Sequence, residues 1–359
     1  MEFALSADQK MLQESIAGTL SSVSDLDRVR KVASGEVDAS AISTALAELG
    51  TPQLLVPEDQ GGLGLSALDA VLVQESLGAH VSPAAFMANS VLGVTAIAAA
   101  ASASQRDEWL ARIASGDVRL AAAVNEHVSM REGAGVVADD NKLSGKALFA
   151  LEVGGATHVL VSDTAGALHI APLGAGISST ALTTIDRTRR FIELTFDGVE
   201  SELLTGENEP GAAAQGTVAM ARILLAADTL GASQAMLDKA VEYAKERKQF
   251  GRVIGSFQAV KHMCAEMAAK LEPCRSLVWH AAYLFDEEPE RAALMACHAK
   301  AHVSEVGTFV SRTATEVFGG MGFTDLVGLH YWFKRIGVNR QLFGGPELLR
   351  VEAARLQGF

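Results

Sequence analysis

The sequence predicts a three-part fold: an N-terminal block of helices, a small antiparallel β domain, and a C-terminal helical bundle. Two observations carry that prediction. Apolar residues recur every three to four positions up to about residue 117 and again after Gly211. Between those stretches the period falls to two, with Gly or Asp at the segment ends. A chain of 359 residues has room for two or three domains. The changes of period divide it at 1–117, 118–210 and 211–359.

In the first part, Ser6 stands where a cap is needed for a helix carrying Met11, Leu12, Ile16 and Leu20 on one side. A helix over Ala41–Leu49 should stop at Gly50, because glycine accepts the left-handed conformation that closes a helix. The loop Val56–Ser66 leads into a helix from Ala67 to Leu77, ended by Gly78. In the middle part, Thr157–Asp163, Ala167–Leu173 and Arg189–Val199 alternate apolar and polar residues as half-buried strands do. Lys142–Lys146 (KLSGK) reads as a turn between strands. The third part opens with one long Ala/Leu-rich helix within Gly216–Gly251. Helices over Phe257–Phe285, which Pro273 should kink, and Pro289–Phe318 follow.

Composition narrows the function. With 30 Lys and Arg against 43 Asp and Glu, the net charge is −13, which argues against a general nucleic-acid binder. Hydrophobic residues reach 49% and aromatics only 6%, so the core is aliphatic and disorder is excluded as the main state. Cys264, Cys274 and Cys297 form neither a disulfide framework nor a zinc pattern. The longest apolar stretch, Val91–Ala103, falls short of the roughly 20 residues a membrane span requires. No signal peptide is visible, so a cytoplasmic protein without a membrane partner is expected. His298 and His302 share a helix face but lack a third ligand, so no metal site is expected. Gly61-Gly62-Leu63-Gly64 follows no strand and is no dinucleotide fingerprint.

Three stretches, in this order, carry a resemblance: Leu46–Gly78 (LAELGTPQLLVPEDQGGLGLSALDAVLVQESLG), Glu246–Ala268 (ERKQFGRVIGSFQAVKHMCAEMA) and Glu316–Asp325 (EVFGGMGFTD). With the β insert between them, the chain resembles the acyl-CoA dehydrogenase family along nearly its whole length. The resemblance implies that family's fold, with a C-terminal four-helix bundle. It also implies FAD, an acyl-CoA substrate dehydrogenated at its α and β carbons, and an electron-transfer flavoprotein as electron acceptor. In that family a carboxylate takes the α-proton, and each flavin site is shared between neighbouring subunits.

The neighbour-facing half of that shared site is kept. The resemblance assigns Arg247, Phe250 and Gln258 to the neighbour's FAD diphosphate and adenine region, with Glu316, Gly319 and Gly320 as the matching glycine-pair motif. A guanidinium suits phosphate oxygens, and bare glycines let a dinucleotide approach the backbone. The half that would hold the flavin ring is eroded. Within Ala121–Gly135 (AAAVNEHVSMREGAG) only Glu126 survives of the family's pattern, and Phe149-Ala150-Leu151 replaces its Trp-Ile-Thr segment.

Phe343 stands where most relatives carry the catalytic Glu, and Ala221 occupies the alternative base position. Neither side chain accepts a proton. Arg222, next to Ala221, is assigned to acyl-CoA by the resemblance. Glu347 and Glu316 are the nearest substitute carboxylates, and neither matches the base. This pattern is similar to the non-catalytic subunits of heteromeric α2β2 bacterial dehydrogenases that act on CoA-activated sterol side chains. A homologous partner would then supply the catalytic Glu. A homotetrameric enzyme with a relocated base and a flavin-free scaffold stay open as alternatives.

Overall fold

The computed structural model describes residues 4–128, 131–209 and 211–359. Ser129, Met130 and Pro210, which fall within stretches discussed above, lie outside the described residues, as do residues 1–3.

Six helices lead the chain: α1 (Ala7–Val23), α2 (Leu26–Ser34), α3 (Ser40–Glu48), α4 (Ala67–Ala79), α5 (Val94–Ala100) and α6 (Ala103–Ala114). Ser6 accepts from the Gln9 amide while Gln9 returns the bond, a capping box that fixes the start of α1. Gly50 takes φ +81° just beyond α3. Gly78 departs from expectation. It lies inside α4, where an added Cβ would stand 2.1 Å from the carbonyl oxygen of Asp228. The bundle's long first helix, α7 (Ala212–Glu246), presses on α4 at that point. A Cβ on Gly231 of α7 would likewise lie 1.9 Å from the Glu75 carbonyl. Two glycines thus let α4 and α7 cross backbone to backbone.

The middle sheet contains β1 (Leu120–Ala123), β2 (Gly135–Asp139), β3 (Lys142–Leu151), β4 (His158–Ser162), β5 (Leu168–Pro172), β6 (Ile177–Leu182), β7 (Phe191–Glu200) and β8 (Glu202–Leu203). Its order is β6-β7-β3-β1-β4-β5-β8, with β2 beside β3. Pairing is antiparallel except between β1 and β4, which run parallel from Leu120↔His158 to Ala123↔Val161. That exception follows from connectivity: β3 lies antiparallel to β1, and the short turn after it reverses the chain into β4. KLSGK is not the turn. Asp140 and Asn141, at φ +46° and +61°, make it, and Lys142–Lys146 opens β3, its register with β7 shifting between Leu143 and Gly145.

The C-terminal bundle packs α7 with α8 (Gln258–Glu287), α9 (Pro289–Phe318) and α10 (Leu329–Gln341), while α11 (Pro346–Leu356) lies on α9. Helix α8 runs unbroken through Pro273. A largely buried polar cluster joins bundle and sheet. The Asp228 carboxylate accepts from Arg189 at 2.5 Å and from Asn339 and Gln74 at 2.7 Å each, while Arg335 donates to Asp186 at 2.8 Å. Among the described residues, no helix is long and apolar enough to cross a membrane.

Candidate functional site

The six residues assigned to a neighbour's cofactor are all exposed. Helix α7 ends at Arg247, and the chain turns through a hairpin of β9 (Lys248–Gln249) and β10 (Arg252–Val253). Phe250, at φ +52° and 91% exposure, stands at its tip. The Ile254 amide donates to the Arg247 carbonyl at 2.7 Å and closes the hairpin base, so Gln258 at the start of α8 follows within one turn of chain. Arg247 makes no ion pair among the described residues.

Phe318, at the end of α9, stacks on Tyr243 of α7 with centroids 4.3 Å apart and planes 21° from parallel. This stack holds the glycine pair near the hairpin. An added Cβ on Gly319 or Gly320 would meet nothing within 4 Å. Bare glycine backbone, an unpaired guanidinium and an exposed aromatic ring fit a dinucleotide that arrives from outside the protomer. Phe323 and Leu326, 78% and 76% exposed, extend the same segment.

The inner half is built differently. Phe343 sits in the α10–α11 turn, 1% exposed, at φ +54°. Its amide donates to Asn125 Oδ1 at 3.2 Å, and its carbonyl accepts from Arg222 Nε at 3.0 Å. Arg222 was expected to meet acyl-CoA. It is 1% exposed instead, with Nη1 and Nη2 on Glu352 at 2.6 and 2.7 Å and Nη1 3.3 Å from Cys297 Sγ. The guanidinium is spent inside the protein because Glu352 of α11 reaches it first. Ala221, the other base position, is fully buried.

Lys300 completes this interior cluster. It is 1% exposed and donates to the Gly344 carbonyl at 2.6 Å and the Arg340 carbonyl at 3.3 Å. Burial, reinforced by the Arg222 and Arg340 charges, pushes its ammonium down to about 7. Burial likewise pushes the Cys297 thiol up to about 11. Burial works against the Glu352 carboxylate too, yet Arg222 holds it below the usual carboxylate range.

On the sheet side, Glu126 is 8% exposed. It accepts from the Leu148 amide at 2.9 Å, and burial raises its carboxyl. Phe149, at φ +56°, packs edge-on against Phe191, with the Arg131 guanidinium 4.5 Å over its ring. Phe149, Ala150 and Leu151 offer no side-chain hydrogen bond, and Asn125 Oδ1 is taken by Phe343. Glu347 is not a substitute base, since it sits exposed in the first turn of α11 and pairs with Arg340 at 3.0 Å.

Residues 6–117 match the acyl-CoA dehydrogenase N-terminal domain, and residues 211–356 match the acyl-CoA dehydrogenase C-terminal domain. The chain belongs to the acyl-CoA dehydrogenase family. It is a family of flavin-dependent oxidoreductases acting on CH–CH bonds. The chain is 29% identical over 346 residues to acyl-CoA dehydrogenase IpdE2 of Mycobacterium tuberculosis, covering 96% of this chain and 95% of that one. Among solved structures it is similar to a variant of the Tcur3481–Tcur3483 steroid ACAD, at 27% identity and TM-score 0.87 over 98% and 97% of the two chains. It shares the fold of the Mycobacterium tuberculosis ChsE4–ChsE5 complex, at 24% identity and TM-score 0.88 over the full length of both chains.

Sequence reasoning missed Asn125, Glu352 and Lys300 as parts of the inner site. Lys300 was readable, because it falls on the stripe of Ala296, Val303, Ser304 and Gly307 that α9 buries. Glu352 was not, since its partner Arg222 lies on another helix.

Proposed function

We propose that this chain is the non-catalytic subunit of a heteromeric FAD-dependent acyl-CoA dehydrogenase. The observation that carries this reading is the buried Phe343 at the base position, tied to Asn125 and Arg222, beside an outward edge left open. A homologous partner contributes the catalytic Glu, the ring pocket and the acyl-CoA cleft. FAD, when bound, supplies the hydride acceptor. This chain contributes binding and position. Arg247 forks to the diphosphate, Phe250 covers the adenosine, Gln258 and Glu316 meet the adenine side, and Gly319 and Gly320 admit the dinucleotide.

The domains run 1–117, 118–210 and 211–359, so the second and third meet just ahead of α7. The steroid name of the Tcur3481–Tcur3483 relative favours a CoA thioester of a sterol side chain as substrate. An electron-transfer flavoprotein takes the electrons, and the complex works in the cytoplasm.

Flavin stoichiometry tests this reading. The chain is purified alone and co-expressed with its homologous partner, and bound flavin is read by visible absorbance after gel filtration. The expected result is no flavin on the lone chain and one FAD per heterodimer, with turnover of a steroid-CoA thioester only in the mixed preparation. One FAD per lone chain, with turnover, would overturn it.

A further inference from the structure

A groove of about 430 Å³ opens between α2, the connection from β6 to β7, and the first half of α10, beside the Phe323–Leu326 segment and over the Asp186–Arg335 pair. Arg30, Arg187 and Lys334 line it, together with Tyr331, Ser34 and Thr184. Asp186 also lines it but is turned inward. It is 1% exposed, and its oxygens take Arg335 Nε at 2.8 Å and the Thr188 amide at 2.9 Å. Asp325 stands at the rim, 2.9 Å from His330 Nε2 and 3.7 Å from Arg30 Nε. Arg30 is shared between Asp325 and Asp27, whose Oδ1 lies 2.7 Å from Arg30 Nη1, in a chain whose net charge is −13.

Arg187 and Lys334 form no ion pair among the described residues. Arg30 Nη2 donates to the Asp325 and Leu326 carbonyls, so that guanidinium is fixed as one wall of the groove. Convergent like charges in a concave site focus the field on an incoming anion. The groove's volume suits a small molecule rather than a macromolecular surface.

We infer that this groove binds a small phosphate-bearing ligand, held by Arg187 and Lys334 against the Arg30 side. An arginine fork and a lysine point charge together suit a phosphate monoester. Ile185, 61% exposed at the lip, gives an apolar contact for the ester's carbon portion. The ligand is either free phosphate or the monoester of an organic molecule.

Titration calorimetry on the full chain at constant ionic strength tests the assignment, with inorganic phosphate, glycerol phosphate and succinate as probes. Saturable phosphate binding near 1 mM is expected, with a loss of about tenfold or more in the R187Q/K334Q double variant. K31Q, an exposed cation outside the groove, should bind as wild type. Tighter glycerol phosphate than inorganic phosphate identifies an organic monoester, and the reverse identifies the free ion. Succinate binding as tightly as either phosphate probe, no saturation below about 20 mM, or binding that survives the double substitution overturns the inference. Each single variant is melted alongside, so that loss of binding is separated from loss of fold.

Discussion

The backbone amide of Phe343 donates to Asn125 Oδ1 at 3.2 Å, which fastens the α10–α11 turn to the end of β1. The resemblance places the base at the position of Phe343 and the flavin ring against the stretch that contains Asn125. Here Phe343 and Asn125 touch, and the Arg222–Glu352 pair and Lys300 brace the same turn from behind.

Restoring the missing carboxylate should therefore not restore activity. Phe343→Glu places an acid where the wild-type side chain is 1% exposed, which should cost about 3 kcal/mol of stability. A thermal melt should show a lower midpoint, and an acyl-CoA assay of the lone variant should show no turnover. Measurable turnover would mean that the inner site is open to substrate.

The outward edge predicts a different phenotype. Arg247→Gln should leave the fold intact, because that side chain is exposed and unpaired among the described residues. Losing charge-assisted bonds to a diphosphate should weaken FAD retention in the mixed complex by about 10–100-fold. Flavin absorbance after dilution and gel filtration reads this directly, and Phe250→Ala should act in the same direction.

Lys300 predicts a pH signature. Its folded value of about 7 lies well below the ordinary lysine value of 10.5, so between those limits the unfolded chain holds one more proton than the folded one. Stability from this residue therefore rises with pH across roughly 7–10, by up to about 1.4 kcal/mol per unit, and its cost is greatest below pH 7. Urea unfolding of wild type and Lys300→Met at pH 6, 7.5 and 9 isolates the effect. The difference between the two proteins should shift steadily with pH; a constant difference would contradict the assignment.

At the α4–α7 crossing, Gly231→Ala should destabilise the chain even though alanine favours helix by about 1 kcal/mol. The new methyl would lie 1.9 Å from the Glu75 carbonyl, so the helices must separate, at a cost of about 1–3 kcal/mol or more. Denaturant melts of Gly231→Ala and of Gly216→Ala, an α7 glycine with open space around it, make the comparison.

Much of the architecture was legible because its signals are local. Ser6 caps α1 through its own neighbour Gln9, and the apolar–polar alternation of Phe191–Glu200 is written in successive residues. Strand β1 escaped because Leu120–Ala123 is buried at all four positions, so no alternation exists to be read. Gly78 looked like a helix stop because nothing local says that a second helix needs its bare backbone. The candidate site divides the same way. Exposed Arg247, Phe250 and the glycine pair lie in contiguous motifs, whereas the engagement of Arg222 depends on Glu352, brought to it only by tertiary packing.

The filled interior around Phe343 also bears on when this subunit matures. A ligand stabilises a fold by mass action only where the fold leaves room to bind it. Here aromatic and aliphatic side chains occupy that room, and the turn is held by bonds the chain makes to itself. Its folding is thereby uncoupled from the supply of flavin. On the heteromeric assignment we propose, such a subunit is expected to stand finished while cofactor is scarce and to complete its partner once flavin arrives.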